Sequence, residues 1–155
     1  KKMIIEETNE IKAANFLFDL RKDNNLFHSL SFDTISAIGP NAAMPHYKVT
    51  KNSNLNFSND TIYLFDSGGQ YRDGTTDITR TIVLGKPSKE QKDRFTRVLK
   101  GHIAIARAII NINSQGSSID HLSRKSLNAL HMALSFNSLR CGSACSSFKS
   151  IARGR

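Results

Sequence analysis

The chain has 155 residues, of which 39% are hydrophobic and 23% are charged, and its formal net charge is +9. These values are typical of one soluble globular domain and exclude wholesale disorder. No run approaches the ~20 apolar residues of a membrane span, and the start has no signal-peptide pattern. Two cysteines, Cys141 and Cys145, make no disulfide framework. We therefore expect no membrane partner and a cytoplasmic location.

The positive charge is concentrated at one end of the chain. Residues 1–93 carry 12 basic and 12 acidic side chains, whereas residues 94–155 carry 10 basic side chains and a single acid, Asp120. Such a surplus can mark a nucleic-acid surface or an acidic membrane surface. It can also mean that an acidic complement is missing from the sequence. We favour the second interpretation, because the basic segment contains no known nucleic-acid-binding module.

The first half of the sequence predicts a helix, a strand and a loop. Apolar residues at helical spacing after a Thr-Asn capping pair predict a helix over residues 8–22. A β-branched, alternating run predicts a strand over residues 31–38, followed by a turn at 39–41 and a short extended piece over 42–47. Residues 51–60 are rich in Asn and Ser, which favours a surface loop.

The second half predicts a strand–turn–strand and two helices. The strand–turn–strand ends at Leu84, and a capping box from Ser88 to Gln91 then begins a helix that runs to about Ile110. A further helix is expected over residues 118–134. From residue 135 to 155 the sequence is Ser-rich and basic with weak periodicity, which indicates an aberrant tail.

Two aspartates, Asp66 and Asp77, are the strongest candidates for chemistry. They lie in residues 63–81, which read Tyr-Leu-Phe-Asp-Ser-Gly-Gly-Gln-Tyr-Arg-Asp-Gly-Thr-Thr-Asp-Ile-Thr-Arg-Thr. An apolar strand carries the first and a Thr/Ile-rich strand carries the second, so both carboxylates can point to one place. Divalent metal ions prefer charged oxygen ligands. A solvated, turn-capping pair is the alternative interpretation.

Other residues of this region have supporting interpretations. Gly68 and Gly69 would allow a close backbone approach and a positive φ. Arg80 could pair with a carboxylate behind the site. His46 is a second site candidate, although a surface histidine is the commoner case.

Longer strings in the same region resemble one enzyme family. Residues 31–47 read Ser-Phe-Asp-Thr-Ile-Ser-Ala-Ile-Gly-Pro-Asn-Ala-Ala-Met-Pro-His-Tyr, and residues 95–104 read Phe-Thr-Arg-Val-Leu-Lys-Gly-His-Ile-Ala. Together with the aspartate segment they resemble the Xaa-Pro aminopeptidases (aminopeptidase P, peptidase family M24) over residues 5 to 127. The resemblance implies an α+β fold, namely part of the pita-bread (creatinase/aminopeptidase) fold. Residues 1–134 would be the N-terminal half of the catalytic domain, and 135–155 the tail.

The resemblance also implies the site chemistry. Asp66 and Asp77 match the two metal-ligating aspartates of the family, with Asp77 bridging, and His46 matches a histidine near the substrate. The family holds two divalent ions, usually manganese, and releases the N-terminal residue that precedes a proline. The implied partners are therefore peptides with proline at the second position.

The sequence departs from the family pattern after the helices. The family's His-Gly-x-Gly-His string is absent, since residues 130–134 read Leu-His-Met-Ala-Leu, and no glutamate follows Glu90. Three of the family's five metal ligands are thus not found, and we identify no catalytic residue. A first residue other than Met suggests that the start is a cut point inside a longer chain.

These observations leave three hypotheses. The first is a fragment of an Xaa-Pro aminopeptidase that is inactive as this chain because the histidine and both glutamate ligands are missing. The second is a non-catalytic, pita-bread-like module that binds peptides or another protein. The third, nucleic-acid binding, is supported by charge alone. Because half of a pita-bread fold would leave a sheet edge uncovered, self-association is also expected.

Overall fold

The computed structural model describes residues 7–128, and the chain divides into two compact units between Pro87 and Ser88. The first unit contains helix α1 and six strands in two three-stranded antiparallel sheets. The second contains helices α2 and α3. The elements of the first unit, in chain order, are α1 (Glu10–Lys22), β1 (Phe27–Leu30), β2 (Ile35–Ile38), a 3₁₀ helix (Gly39–Ala43), β3 (Thr61–Ser67), β4 (Gly69–Tyr71), β5 (Gly74–Thr75) and β6 (Ile78–Leu84).

The larger sheet has the strand order β2-β3-β6, and the smaller sheet has the order β1-β4-β5. Three stretches of chain pass from one sheet to the other. Between β1 and β2 the chain leaves the small sheet for the large one, at Gly68 it returns from β3 to β4, and between β5 and β6 it passes to the large sheet again. The Ser31 amide donates to the Gly68 carbonyl (3.2 Å), so the first two crossings are tied together.

This crossing explains where the predicted strand over residues 31–38 is wrong. Only Ile35–Ile38 is a strand, whereas residues 31–34 form the connection between the sheets. The strand Phe27–Leu30, which was not predicted, pairs with β4 instead. Alternation of residue types reports an extended chain, but it does not report which neighbouring strand the chain pairs with.

Helix α1 begins as its capping residue requires. Asn9 is the N-cap, and its side chain accepts a hydrogen bond from the Lys12 amide (2.9 Å). The helix ends at Lys22, as predicted. Glu10, the first residue of the helix, is completely buried. The sequence did not indicate this burial.

The buried carboxylate of Glu10 accepts hydrogen bonds from three separate parts of the first unit. It accepts from the Ile38 amide (2.8 Å), from the Asn41 side-chain amide (3.0 Å), from the Tyr47 hydroxyl (2.9 Å) and from the Leu55 amide (3.1 Å). A buried carboxylate is tolerated only when it is hydrogen-bonded in this way. Glu10 therefore holds the end of β2, the 3₁₀ helix and the loop before β3 against α1.

A small apolar core lies beside this network. Its members come from α1, the loop and the large sheet, and they are Ala13, Ile38, Phe57, Tyr63 and Leu84, with Phe65 packed against them. The hydroxyls of Tyr63 and Ser36 lie 3.0 Å apart, and the Ser36 hydroxyl donates to the backbone carbonyl of Glu10 (2.8 Å). Burial raises the pKa of Tyr63 to about 12, the Ser36 hydrogen bond opposes this shift, and the charge of Glu10 adds to it.

The segment after β2 only partly follows the prediction. The expected turn at residues 39–41 and the first part of the expected extended piece form the 3₁₀ helix Gly39–Ala43. Met44 is extended, as the following Pro45 requires. The loop over residues 51–60 is confirmed, apart from an isolated bridge between Asn9 and Asn56.

The second unit contains α2 (Lys89–Ala106) and α3 (Gly116–Asn128). The predicted capping box at Ser88 is confirmed in both of its hydrogen bonds, but α2 ends four residues before the expected Ile110. The helices approach closely at Gly101, where a Cβ atom would lie 2.4 Å from the Ser123 carbonyl oxygen. Residues 129–134 of the second predicted helix and the predicted tail over 135–155 lie outside the described residues.

Replacing Glu10 tests the role of its carboxylate in stability. In Glu10→Gln an amide group meets hydrogen-bond donors that previously faced a carboxylate, so we expect a loss of at least about 3 kcal/mol in the free energy of unfolding. Denaturant unfolding followed by circular dichroism measures the loss. The matched control is Glu7→Gln, because Glu7 is exposed and is the first residue that the structure describes. Equal unfolding midpoints for the two variants would contradict the assigned role.

The pKa of Tyr63 predicts a loss of stability in alkaline solution. The folded-state pKa of about 12 lies above the ordinary value near 10. The contribution of the protonated Tyr63 hydroxyl to the free energy of unfolding is therefore complete below pH 10 and disappears as the pH rises through 12. Between pH 10 and pH 12 the wild-type chain should lose about 2 kcal/mol more than Tyr63→Phe does. Denaturant unfolding at both pH values measures the difference. Parallel losses in the two proteins would show that Tyr63 does not titrate in this way.

Candidate metal-binding face

The connection between β3 and β6 brings the two aspartates to one face of the large sheet. Asp66 lies in β3, and Asp77 directly precedes β6. The register pairs Asp66 with Thr79. Because side chains alternate along a strand, residues 77 and 79 share a face, and directly opposite residues share one too. Asp77 lies one residue before the last pair of the register, Ile78 with Ser67, and continuing the alternation by that one residue makes it a diagonal neighbour of Asp66.

The two carboxylates differ in their surroundings. Asp66 is half-buried, whereas Asp77 is exposed. The face around Asp66 is otherwise apolar on β2 and β3, where Ile35, Ala37 and Leu64 are buried. Solvent and ions can therefore reach the two carboxylates from one side.

A close turn fixes the relation between the two strands. The Gly69 amide donates to the Thr76 hydroxyl (3.0 Å), and the Thr76 amide donates to the Gly69 carbonyl (2.9 Å). A Cβ atom on Gly68 would lie 2.0 Å from the Thr76 carbonyl oxygen and 2.4 Å from the Ser31 hydroxyl. The predicted close approach at the glycine pair is confirmed. The predicted positive φ is wrong, because in the described chain only Gly39 and Gly85 among the glycines have one.

Arg80 does not support the carboxylates. It lies opposite Phe65 in the register, so its side chain is on the other face of the sheet. There it is exposed, and its guanidinium donates to the neighbouring Thr79 carbonyl (2.8 Å). The expectation of an Arg80–carboxylate pair is therefore wrong, and the period-two alternation of the strand is the reason.

The residues that do share the face of Asp66 on β6 are Thr79, Thr81 and Val83, of which the two threonines are polar. The sequence analysis gave the threonines no role, although counting in twos from Asp77 along the strand would have found both. Thr81 lies opposite Leu64 and is thus the other diagonal neighbour of Asp66.

His46 lies at the surface of the first unit. It follows Pro45, is exposed and has a φ of 53°, which is uncommon outside glycine. Over residues 7–128 no group of three or more His, Cys, Asp and Glu side chains could hold a metal ion. His46 therefore does not join the two aspartates in a ligand cluster.

The chemistry of the face fits one side of a divalent metal centre. Two carboxylates on one face supply the hard oxygen donors that such ions prefer. They do not supply a complete ligand set, since the described residues add no third His, Cys, Asp or Glu side chain to the pair. No reaction step can be derived from these two groups alone.

Comparison with known proteins gives this face a context. The profile of metallopeptidase family M24 matches residues 1–145. A protein of Laccaria bicolor named "Probable Xaa-Pro aminopeptidase P" is 49% identical over 119 residues, which are 77% of this chain and 18% of that protein. A protein of the same name from Aspergillus fumigatus is 47% identical over 127 residues, 82% of this chain and 19% of that protein. The chain thus spans about a fifth of the length of these relatives.

A solved structure is similar over the same region. X-prolyl aminopeptidase from Caenorhabditis elegans, described as a cytosolic enzyme with a di-nuclear active site, matches with a TM-score of 0.73 and 42% sequence identity. The match covers 80% of this chain and 21% of that one. It confirms the α+β class and the partial pita-bread fold. None of the described helices is long and apolar enough to cross a membrane.

The strings that carried the resemblance, the sheet that presents the two aspartates and the family profile agree, and we conclude that this chain belongs to metallopeptidase family M24, within which it is similar to the Xaa-Pro aminopeptidases.

Proposed function

We propose that the chain is part of the catalytic domain of a metal-dependent Xaa-Pro aminopeptidase. In this proposal it contributes the carboxylates of Asp66 and Asp77 to a centre of two divalent ions, with manganese as the expected metal. The observation that carries the proposal is the register of β3 and β6, which pairs Asp66 with Thr79, two residues after Asp77. The similarity to an enzyme described as having a di-nuclear active site supports it.

Each of the two aspartates would have its own task. Asp66, which is half-buried and held within β3, would be the rigid ligand. Asp77, which is exposed directly before β6, would bridge the two ions. When bound, two such ions supply an activated water and polarise the carbonyl of the scissile bond. The hairpin contributes a fixed separation between the two ligands, which the hydrogen bonds of the Gly69–Thr76 turn maintain.

The proposed substrate is a peptide with proline at its second position, and His46 would contact it. The exposure of His46 and its left-handed backbone, which turns the chain directly after Pro45, leave its imidazole available to a ligand. A cytoplasmic location is proposed as well, in line with the similar enzyme described as cytosolic.

We propose self-association because β6 is an edge strand with exposed apolar side chains. In the described part of the chain this strand is the edge of its sheet, and Ile78 and Ile82, on the face opposite Asp66, are 41% and 44% exposed. An exposed edge strand with apolar side chains is a surface that other strands can join.

Removing one carboxylate should remove metal binding. We expect that Asp77→Ala abolishes measurable Mn²⁺ binding by the 155-residue chain, because one half-buried carboxylate cannot hold a hard cation by itself. Isothermal titration calorimetry with MnCl₂ measures the affinity. Asp73→Ala is the matched control, since Asp73 is an exposed aspartate in the same connection. Unchanged affinity in Asp77→Ala, or equal losses in both variants, would refute the assignment of Asp77.

The isolated chain should not hydrolyse peptides. It contains neither the family's His-Gly-x-Gly-His string nor a glutamate after Glu90, so it lacks a histidine for proton transfer and three metal ligands. We expect no release of alanine from an Ala-Pro peptide in the presence of Mn²⁺, as measured by mass spectrometry. Release that disappears in Asp77→Ala would overturn this expectation. Peptide binding without release, measured by fluorescence anisotropy, would favour the alternative of a non-catalytic peptide-binding module.

A further inference from the structure

Thr81 has a buried hydroxyl group that makes no hydrogen bond. Its Oγ1 atom is out of contact with solvent, and the described part of the chain provides no partner for it. A buried hydroxyl without a partner destabilises a protein relative to the isosteric methyl group of valine. Valine also has a high preference for strands. The presence of threonine at this position therefore calls for a partner that comes within hydrogen-bonding distance only when a ligand is bound.

The position of Thr81 indicates what that partner is. Thr81 lies on the same face as Asp66 and Asp77, and it is separated from Asp77 by two alternating steps along β6. Asp66 thus has two diagonal neighbours across the strand pair, a carboxylate on one side and an unpartnered hydroxyl on the other. The surrounding positions on β2 and β3 are apolar.

Carboxylates that bind metal ions usually accept a further hydrogen bond, which fixes their orientation. A threonine hydroxyl has the right chemistry for this task, because it donates one hydrogen bond and carries no charge that would repel a cation. The β-branched side chain also has few rotamers, so that the direction of its hydroxyl is restricted.

We propose that Thr81 is a positioning residue of the metal-binding face, whose hydroxyl donates a hydrogen bond to an oxygen ligand of the bound ion. This inference rests on the proposed function of Asp66 and Asp77. It adds a residue that touches neither the substrate nor the metal ion and acts through the ligand that it orients.

The structure offers a matched control outside the strands that carry the candidate site. Thr34 also has a buried Oγ1 without a partner in the described chain. It lies in the connection between the two sheets, directly before β2. Thr34 and Thr81 thus share residue type and a buried hydroxyl without a described partner, and they differ in the element that they occupy.

The test compares Mn²⁺ binding by the wild-type 155-residue chain, Thr81→Val, Thr81→Ser and Thr34→Val. Free Mn²⁺ is measured by electron paramagnetic resonance, and denaturant unfolding without metal checks that each variant folds. We expect Thr81→Val to bind Mn²⁺ about tenfold more weakly, as is typical when a group that orients a ligand is lost. Thr81→Ser, which keeps the hydroxyl, and Thr34→Val should retain the wild-type affinity.

The stability measurement separates this role from a structural one. Because both valine variants remove an unpartnered hydroxyl, both should unfold at the same or a higher denaturant concentration than the wild type without metal. A protein that is more stable yet binds the ion more weakly is not expected of a residue that only supports the fold. If Thr81→Val does not fold, Thr81→Ala takes its place, with the same expected loss of affinity.

Wild-type affinity in Thr81→Val would overturn the inference and leave the proposed function standing, since the hydroxyl would then be satisfied by a water molecule or by nothing. Equal weakening in Thr81→Val and Thr34→Val would also overturn it. An absence of Mn²⁺ binding by the wild-type chain would instead overturn the proposed function, and the inference with it.

Discussion

The buried carboxylate of Glu10 is the interaction on which the first unit depends. Four hydrogen-bond donors from β2, the 3₁₀ helix, Tyr47 and the loop before β3 converge on it, and the apolar core contributes only a few side chains beside it. A carboxylate without these donors could not be buried, and the donors would lack an acceptor without the carboxylate. The network is therefore cooperative, so that losing one member weakens the rest.

This network connects to the candidate site through strand pairing. Glu10 accepts from the amide of Ile38 at the end of β2, and β2 pairs along its whole length with β3. The same pairing places Ile35 opposite Asp66. A constraint at one end of a short strand thus sets the position of the carboxylate at the other end, because four residues of antiparallel ladder leave little freedom of register.

The candidate site lies where the chain leaves β3 and returns to β6 after the two short strands β4 and β5. A Cβ atom at Gly68 would collide with the Thr76 carbonyl, so glycine suits the first of these crossings between the sheets. The register of β3 with β6 then puts Thr79 opposite Asp66 and Thr81 on the same face, while Asp77 directly precedes β6.

The sequence by itself determined the local features of this protein. Asn9 and the Ser88 capping box begin their helices as predicted, since a cap needs only residues three positions apart. The apolar run that carries Asp66 and the Thr/Ile-rich run that follows Asp77 form the paired strands β3 and β6. The tertiary structure alone decided that Glu10 is buried, that residues 31–34 are not strand and that Arg80 lies on the face opposite Asp66 while Thr81 shares its face. These outcomes depend on which distant segments pair and on which face they cover, and no short-range pattern contains that information.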